Sequence, residues 1–311
     1  MEMRYLGTQG LSAGAIGYGA MGTSFGYGAS SRKDCIDAIR AALDAGVTMF
    51  DTAEMYGWGA GERLLGAALG RARERVTVAT KFGCTRTGGF DSRPKRIREA
   101  VDRSLGNLGV DSIDLLYQHR MDPAVPIEDV MGTLKGLVDS GKVRYVGLCE
   151  IDDASLRVAH ATHPVSVVQS EYSIFARDVE GLFPTMRSLG VGFVAYSPLA
   201  RGFLAGSASP MSVYSIDDFR RRVPWWHQEN FAKNQVLVNS LREVALANSV
   251  TLAQLSLAWI LSRGENIIAI PGARHRRRVE ENVSAAEVDL SMTALARIEE
   301  LVPDGAFGAR I

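Results

Sequence analysis

Eight short apolar runs, rich in β-branched residues, recur along this chain of 311 residues and limit its fold more than any other feature. Each run ends at polar or Gly residues, as buried strands do when turns follow them. Runs such as VTVAT and VGFVAY are apolar at successive positions, which predicts parallel strands covered on both faces. The predicted strands are Ala15–Tyr18, Val47–Asp51, Val76–Lys81, Ile113–His119, Val143–Leu148, Val165–Gln169, Val191–Tyr196 and Ile267–Ile270.

Segments with apolar residues at three- and four-residue spacing separate these runs and predict helices. Ser31 and Asp152 stand at predicted helix starts, and Gly46 and Gly109 follow predicted ends. The alternation runs through the region where two domains would have to separate. We therefore predict a single (β/α)8 barrel domain over residues 1–311. The predicted helices are Arg32–Ala45, Gly61–Gly70, Arg93–Leu108, Ile127–Ser140, Asp152–Ala161 and Gly181–Leu189.

The interval between the seventh and eighth strands is too long for one helix. It holds an aromatic-rich polar stretch, Leu199–Lys233, and then two helical patterns, Asn234–Asn248 and Leu252–Ser262. We interpret the polar stretch as an inserted lid, because long loops are usually functional or disordered and this one carries many aromatic residues. The other predicted additions are a hairpin, Met3–Leu6 with Leu11–Ser12 around Gly10, and a final helix, Met292–Val302.

Composition narrows the class of partner. Lys plus Arg and Asp plus Glu both number 35, so the formal net charge is zero, whereas binding to nucleic acid or an acidic membrane favours excess positive charge. No apolar stretch reaches the length of a membrane span, and the N-terminal residues have no apolar segment. Cys35, Cys84 and Cys149 form no pair at metal-ligand spacing. We expect a cytoplasmic protein with no nucleic acid, membrane or metal partner, and of undetermined oligomeric state.

Polar side chains stand at or just after the ends of three successive strands. Asp51, Lys81 and His119 end the second, third and fourth strands, and Tyr56 follows Asp51 in the next loop. The active site of a (β/α)8 barrel lies at the carboxyl ends of its strands, so these four residues are expected at one rim. A nearby ammonium lowers the pKa of a phenol, a carboxylate keeps the lysine charged, and an imidazole can polarise a carbonyl. Each residue alone is more often structural, but together they suit hydride addition to a small-molecule carbonyl substrate.

The densest charge cluster, Pro271–Arg278, directly follows the eighth strand. A solvated helix start or a nucleic-acid patch would also explain such a run. Its position favours phosphate binding, because barrels often bind phosphate there, helix N-termini attract anions and arginine bonds phosphate bidentately. The glycines of Gly17–Gly28 do not open a helix, so a Rossmann site is not predicted. A second basic run, Arg220–Arg222, is interpreted as surface.

Several motifs resemble the aldo-keto reductase superfamily and occur in its order. They are FDTAEMYG from Phe50, VATKFG around Lys81, DLLYQHR around His119, GKVRYVGLCE and YSPLARGFL. The resemblance implies a (β/α)8 barrel that reduces aldehydes or ketones with NADPH and needs neither metal nor flavin. It also implies that Asp51, Tyr56, Lys81 and His119 form a catalytic tetrad. Tyr56 would be the general acid, Lys81 and Asp51 would tune it, and His119 would orient and polarise the carbonyl.

The same resemblance implies the residues that contact NADPH or NADP+. Those near the nicotinamide would be Met21, Gly22, Thr23, Asp51, Cys149, Glu150, Gln169 and Tyr196, with Cys149 at a position where Ser is common. Those along the pyrophosphate would be Ser197, Leu199, Arg201 and Gly202. Those at the adenosine end would be Gly272, Arg274, Arg278, Glu281 and Asn282, with both arginines on the 2′-phosphate. We predict NADPH over NADH for this reason.

Aromatic residues in the mouth loops predict an apolar substrate pocket, although each alone is more often core. Trp58 is the strongest candidate because it lies beside Tyr56. The full set is Phe25, Tyr27, Trp58, Phe82, Phe90, Trp225 and Trp226. Two other functions stay open. One is a barrel enzyme that uses Lys81 on a phosphorylated sugar. The other is a cofactor-binding regulator or redox sensor with little turnover, as in the related potassium-channel β subunits.

Overall fold

The computed structural model describes residues 1–28 and 30–310, so the predicted span of 1–311 includes two residues outside the described part. Strands β1 (Met3–Tyr5) and β2 (Ser12–Gly14) form an antiparallel hairpin. The next eight strands pair in parallel, each with its neighbours in chain order. They are β3 (Tyr18–Gly19), β4 (Met49–Asp51), β5 (Thr77–Phe82), β6 (Ile113–Gln118), β7 (Val143–Cys149), β8 (Val167–Glu171), β9 (Gly192–Tyr196) and β10 (Ile267–Ala269).

The parallel sheet curls until its two ends meet. The amide of Gly17 donates to the Ala269 carbonyl at 2.8 Å, and the Ala269 amide donates to the Ala15 carbonyl at 3.1 Å. The predicted (β/α)8 fold is therefore confirmed. The first barrel strand was predicted over Ala15–Tyr18. It pairs with β4 only at Tyr18 and Gly19, whereas residues 15–17 pair with Ala269 of β10.

Ten helices accompany the sheet in the described residues. Nine of them follow the predicted order, and the remaining one, Arg276–Ser284, was not predicted as a helix. Ser31 and Asp152 cap their helices by accepting from the amides of Asp34 and Ser155, both at 3.0 Å. Gly109 ends α3 at a φ of 70°, a left-handed conformation that glycine adopts without strain. The helices are α1 (Arg32–Asp44), α2 (Ala60–Leu69), α3 (Pro94–Leu108), α4 (Ile127–Asp139), α5 (Asp153–Thr162), α6 (Phe183–Leu189), α7 (Gln228–Ala247), α8 (Leu252–Leu261), α9 (Arg276–Ser284) and α10 (Met292–Leu301).

Alternation along the strands divides the core into a barrel interior and a layer under the helices. Met49, Ala79, Leu115 and Val167 belong to the interior cluster, which Leu6 and Leu11 of the hairpin region also join. Side chains on a strand alternate between its two faces, so the residues two positions further along also face the interior. This places Asp51, Lys81 and Gln169 one layer nearer the carboxyl end of the barrel.

Close packing in the interior explains one glycine of β7. A Cβ atom at Gly147 would lie 2.5 Å from the ring of Tyr117, far inside van der Waals contact. The buried Tyr117 is the register partner of Lys81 on β6, and Lys81 Nζ lies over its ring, 5.8 Å from the ring centroid. Tyr117 therefore fills space in the barrel interior next to the polar residues.

The inserted segment after β9 consists of short 3-10 turns held by aromatic contacts. The rings of Phe203 and Trp226 lie 4.4 Å apart, and the Trp225 indole donates to the Gly308 carbonyl at 2.8 Å. The Phe219 amide donates to the Gly26 carbonyl at 2.9 Å, which joins the insertion to the loop after β3. The segment therefore passes across part of the barrel mouth.

Two helices follow this segment, as predicted, but the first begins at Gln228 rather than Asn234. Helix α8 packs on β10 and completes the barrel unit, whereas α7 packs on α10 and is the additional helix. In the part of the chain that the structure describes, no single helix is long and apolar enough to cross a membrane; α7 and α8 meet that criterion only as a pair bent by 84°.

Candidate active site

A buried ion pair stands in the polar layer at the carboxyl end of the barrel. The Lys81 ammonium donates to Asp51 Oδ1 and, at 2.9 Å, to the Thr52 carbonyl. The other carboxylate oxygen of Asp51 accepts from Gln169 Nε2 at 2.8 Å. Lys81 and Asp51 are 1% and 3% exposed. Both charges are thus held in place by bonds from three different strands or strand ends.

Tyr56 and His119 lie beside this pair. Lys81 Nζ is 5.3 Å from the centroid of the Tyr56 ring. The imidazole of His119 meets the same ring edge to face, with centroids 6.0 Å apart and planes at 83°. The ring of Phe25 stacks on that of Tyr56, with centroids 6.2 Å apart. The structure therefore brings together all four residues that the sequence placed at one rim.

The surroundings determine which of these groups carry charge. Burial raises the pKa of Tyr56 to about 12, although the Lys81 charge partly offsets this effect. Burial alone would lower the pKa of Lys81, but the Asp51 carboxylate holds it above its ordinary value. Burial, with the charges of Lys81 and Arg120, holds the pKa of His119 well below 6.5. At neutral pH the site therefore contains a phenol, an ammonium and a neutral imidazole.

Two cavities open onto this layer, with volumes of about 400 Å³ and about 230 Å³. The larger runs from Tyr56 to the beginning of α9. The smaller lies over His119 and is otherwise lined mainly by apolar and aromatic side chains. Residues that line both are Met21, Tyr56, Gln169, Tyr196 and Arg201. Tyr56 therefore stands where the two cavities meet.

The larger cavity is lined by several arginines, which suit an anionic ligand. Its far end carries Arg274, Arg278 and the beginning of α9, where helix amides attract anions. Buried Arg201 donates to Glu171 at 3.0 Å, while its Nε has no hydrogen-bond partner among the described residues. The predicted cofactor contacts that line this cavity are Met21, Gly22, Asp51, Gln169, Tyr196, Ser197, Leu199, Arg201, Gly202, Gly272, Arg274, Arg278, Glu281 and Asn282.

Three predicted cofactor contacts lie elsewhere. Cys149 lines the smaller cavity, where burial raises the pKa of its thiol to about 12. Thr23 lines neither cavity and donates its hydroxyl to the Ala20 carbonyl at 2.7 Å. Glu150 is turned away: it accepts from the Glu171 amide and pairs with Arg310, both at 2.8 Å. The end of β7 therefore presents a thiol rather than a carboxylate to the site.

The predicted aromatic pocket divides in the structure. Phe25 and Phe90 line the smaller cavity, and Tyr27 lines the larger. Trp58 faces a separate cavity, with the Arg86 guanidinium 4.8 Å from its ring centroid. Three others are buried in the core and line neither cavity; they are Phe82, Trp225 and Trp226. Phe82 follows the inward-facing Lys81, so strand alternation turns it toward the helices.

Other residues of the smaller cavity were not among the predicted site residues. They are Met55, Cys84, Arg120 and Phe219. For Arg120 the available signal is its position directly after His119. For Phe219, which lies in the insertion, there is no comparable signal.

The interpretation of the basic run Arg220–Arg222 as surface is wrong for Arg220. This residue lines the larger cavity, with its guanidinium 3.7 Å from the Tyr214 ring centroid, and pairs with Asp218 at 2.6 Å.

The fold and site define a (β/α)8 barrel with two adjoining cavities, and Asp, Lys, Tyr and His side chains lie together where the cavities meet. A sequence model of the Aldo/keto reductase family matches residues 15–303, and the chain belongs to this family. It is 40% identical over 307 residues to probable aldo-keto reductase 1 of Glycine max, covering 96% of this chain and 88% of that protein. The chain is therefore an oxidoreductase of carbonyl groups that uses a nicotinamide cofactor.

Solved structures give the same family over nearly the full length. A glycerol dehydrogenase of Gluconobacter oxydans aligns with a TM-score of 0.88 at 25% identity, covering 99% of this chain and 98% of that one. An aldo/keto reductase of Klebsiella pneumoniae, solved in complex with NADP and acetate, aligns with a TM-score of 0.76 at 26% identity over the same shares.

Proposed function

We propose that this chain reduces an aldehyde or ketone to an alcohol with NADPH, and that Tyr56 is the general acid. The observation that carries the proposal is the position of Tyr56, a protonated phenol lining both cavities beside the Lys81 ammonium. A proton donor at the junction of a long, arginine-lined cavity and a smaller, mainly apolar one matches the needs of carbonyl reduction.

The larger cavity would hold the cofactor, and the reduced nicotinamide would supply the hydride. Tyr56 gives its proton to the carbonyl oxygen as that oxygen gains negative charge. The Lys81 ammonium stabilises the phenolate that remains, and Asp51 and Gln169 keep the ammonium in position. Neutral His119 donates a hydrogen bond to the same oxygen and so orients the carbonyl.

Arg274 and Arg278 are proposed to bind the 2′-phosphate that distinguishes NADPH from NADH. Arg274 lies at the far end of the cavity from Tyr56, and it donates to the Tyr27 carbonyl at 3.1 Å and to Ser30 Oγ at 2.8 Å. Arg278 pairs with Glu281 at 2.6 Å, so phosphate binding would compete with that pair. Arg274 is therefore the better residue for a test.

Arg274→Gln is expected to weaken NADPH binding by roughly 10- to 100-fold, the size of a lost charged hydrogen bond, and to leave NADH binding almost unchanged. Kd values for both cofactors, measured from protein fluorescence, check this. Arg277→Gln is the matched control, because Arg277 is an exposed residue of the same run and lines neither cavity. Equal use of NADPH and NADH by the unmodified protein would remove the proposed role of these arginines.

The expected pH dependence of reduction follows from the shifted pKa values of Tyr56 and His119. Tyr56 acts in its protonated form, so a pKa of about 12 keeps it active as pH rises through the alkaline range. His119 acts in its neutral form, so a pKa well below 6.5 keeps it active as pH falls below that value. We expect kcat for a neutral aldehyde to stay nearly flat between about pH 6 and pH 9. An inflection near pH 6.5 or below pH 9 would show that His119 or Tyr56 titrates in the complex.

Oxidation of NADPH, followed with a panel of aldehydes, ketones and quinones, tests the function itself. If the protein bound NADPH but reduced none of them, the regulatory alternative would be favoured. If it bound no NADPH and gave a borohydride-trapped adduct on Lys81, the sugar alternative would be favoured. Lys81 is buried and held as an ammonium by Asp51, which disfavours its use as a nucleophile.

We also propose a cytoplasmic location. The support for it is that Cys35, Cys84 and Cys149 are all free thiols, which fits a reducing compartment.

A further inference from the structure

Arg120 is a cation that lines the smaller cavity, and the proposed reduction assigns it no role. It directly follows His119 beyond β6 and lines that cavity. Its Nη1 donates to the His119 carbonyl at 2.9 Å and its Nη2 to the Tyr196 hydroxyl at 3.3 Å. A guanidinium has five N–H donors, so these two neutral acceptors leave donor capacity for a ligand.

The charge of Arg120 has no acidic partner nearby. Arg201, the other arginine of the same cavity, is neutralised by Glu171 at 3.0 Å. Within residues 1–28 and 30–310, no ion pair includes Arg120. The carboxylate of Glu150 acts on it only at longer range, because it is engaged by Arg310 and by the Glu171 amide. The smaller cavity therefore carries one unneutralised positive charge.

The other groups around Arg120 do not supply an anion. Burial lowers the pKa of His119, so its imidazole is neutral. Burial raises the pKa of the Cys149 thiol, so the thiol stays protonated and uncharged. The remaining surface is mainly apolar and aromatic, with Phe25, Phe90 and Phe219, and its polar groups Gln169 and Tyr196 are neutral side chains. A charge placed in such surroundings is stabilised most by a carboxylate that accepts two parallel N–H bonds.

We propose that Arg120 binds a carboxylate of the substrate, so that the preferred substrates are short oxo acids and semialdehydes. A volume of about 230 Å³ admits a carbonyl group and a carboxylate separated by only a few carbon atoms. The carbonyl would lie at Tyr56 and His119, and the carboxylate would extend toward Arg120. This inference rests on the proposed function, because it assigns the substrate class of the same site.

A matched pair of substrates tests the inference. Succinic semialdehyde and its methyl ester share the aldehyde and the carbon chain, and the ester replaces the charged carboxylate with a neutral group that is larger by one methyl. The unmodified protein is expected to prefer the acid at least tenfold in kcat/KM. Arg120→Gln should reduce that preference by roughly 10- to 100-fold, mainly through the KM of the acid, because the contact is remote from the reacting atoms. Arg120→Lys should restore part of it, since a positive charge returns without the planar fork.

Two further measurements separate this contact from a general effect on the protein. Arg297→Gln makes the same chemical change on α10 in a residue that lines neither cavity, and it should leave the preference unchanged. Calorimetric titration of the NADP+ complex with butyrate and with butyramide measures the anion contact without turnover. Butyrate should bind more tightly to the unmodified protein, and Arg120→Gln should remove the difference.

The outcomes distinguish this inference from the proposed function. Equal kcat/KM for the acid and the ester in the unmodified protein, or an equal loss for both in Arg120→Gln, would overturn the assignment of Arg120. Reduction of the ester would still support the proposed function in that case. If no carbonyl compound were reduced, the proposed function would fail, and the butyrate titration would still decide whether Arg120 forms an anion site.

Discussion

Tyr56→Phe is expected to lower kcat for aldehyde reduction by about 10²- to 10⁴-fold, the usual contribution of a positioned general acid. Phenylalanine keeps the ring that stacks on Phe25 and meets His119 edge to face, so the packing of the site is preserved. What is lost is the proton that Tyr56 is proposed to give to the carbonyl oxygen. Turnover with saturating NADPH, and the Kd of NADPH measured separately, distinguish this loss from a loss of binding.

Tyr5→Phe is the matched control for this change, because Tyr5 is 72% exposed in the hairpin and lines neither cavity. It should leave turnover unchanged. A deuterium isotope effect from labelled NADPH shows whether chemistry limits the rate. Wild-type turnover by Tyr56→Phe, in the presence of such an isotope effect, would contradict the assignment of Tyr56 as the general acid.

Lys81→Met is expected to destabilise the protein by about 3–5 kcal/mol and to abolish reduction, because it leaves a buried carboxylate without its partner. Asp51 is 3% exposed and would keep only its bond from Gln169. The methionine also removes the charge that lowers the pKa of Tyr56 and stabilises its phenolate. Urea unfolding measures the first effect and NADPH oxidation the second.

A second substitution separates stability from catalysis. The double variant Lys81→Met with Asp51→Asn removes both charges, and it should recover most of the lost stability without recovering activity. Lys142→Met is the control for a solvent-exposed pair, since Lys142 and Asp102 are 44% and 58% exposed, and it should cost less than about 1 kcal/mol. If the double variant were as unstable as Lys81→Met, the unpaired carboxylate would not be the cause.

Much of the barrel follows from periodicity along the chain. The strand carrying Lys81 and the helix ending before Gly109 lie close to their predicted positions, because alternation, helical spacing and capping are local properties. The largest differences are at the first barrel strand and at α7, which begins at Gln228. Both depend on contacts with distant segments: residues 15–17 with β10, and α7 with α10.

The candidate site was predictable where a residue type and a strand end coincide. Asp51, Lys81 and His119 come together because each lies at the carboxyl end of a parallel strand or directly after it, and side-chain alternation turns them inward. The aromatic residues followed no such rule. Trp58 is as close to Tyr56 in sequence as any candidate, yet it lies against Arg86 in another cavity.

Local sequence thus determined the order of strands and helices, and with it the barrel. It also determined the polar layer between the cavities, because a side chain on a strand can point in only two directions. Tertiary structure alone decided the cavity walls. Trp225 and Trp226 turn toward the C-terminal residues and the insertion, whereas Phe219 and Arg220 turn toward the mouth. Loops have no fixed side-chain period, so their orientation depends on which distant surfaces they bury. The unneutralised charge of Arg120 is likewise visible only when the neighbours from β7, β8 and β9 are in place.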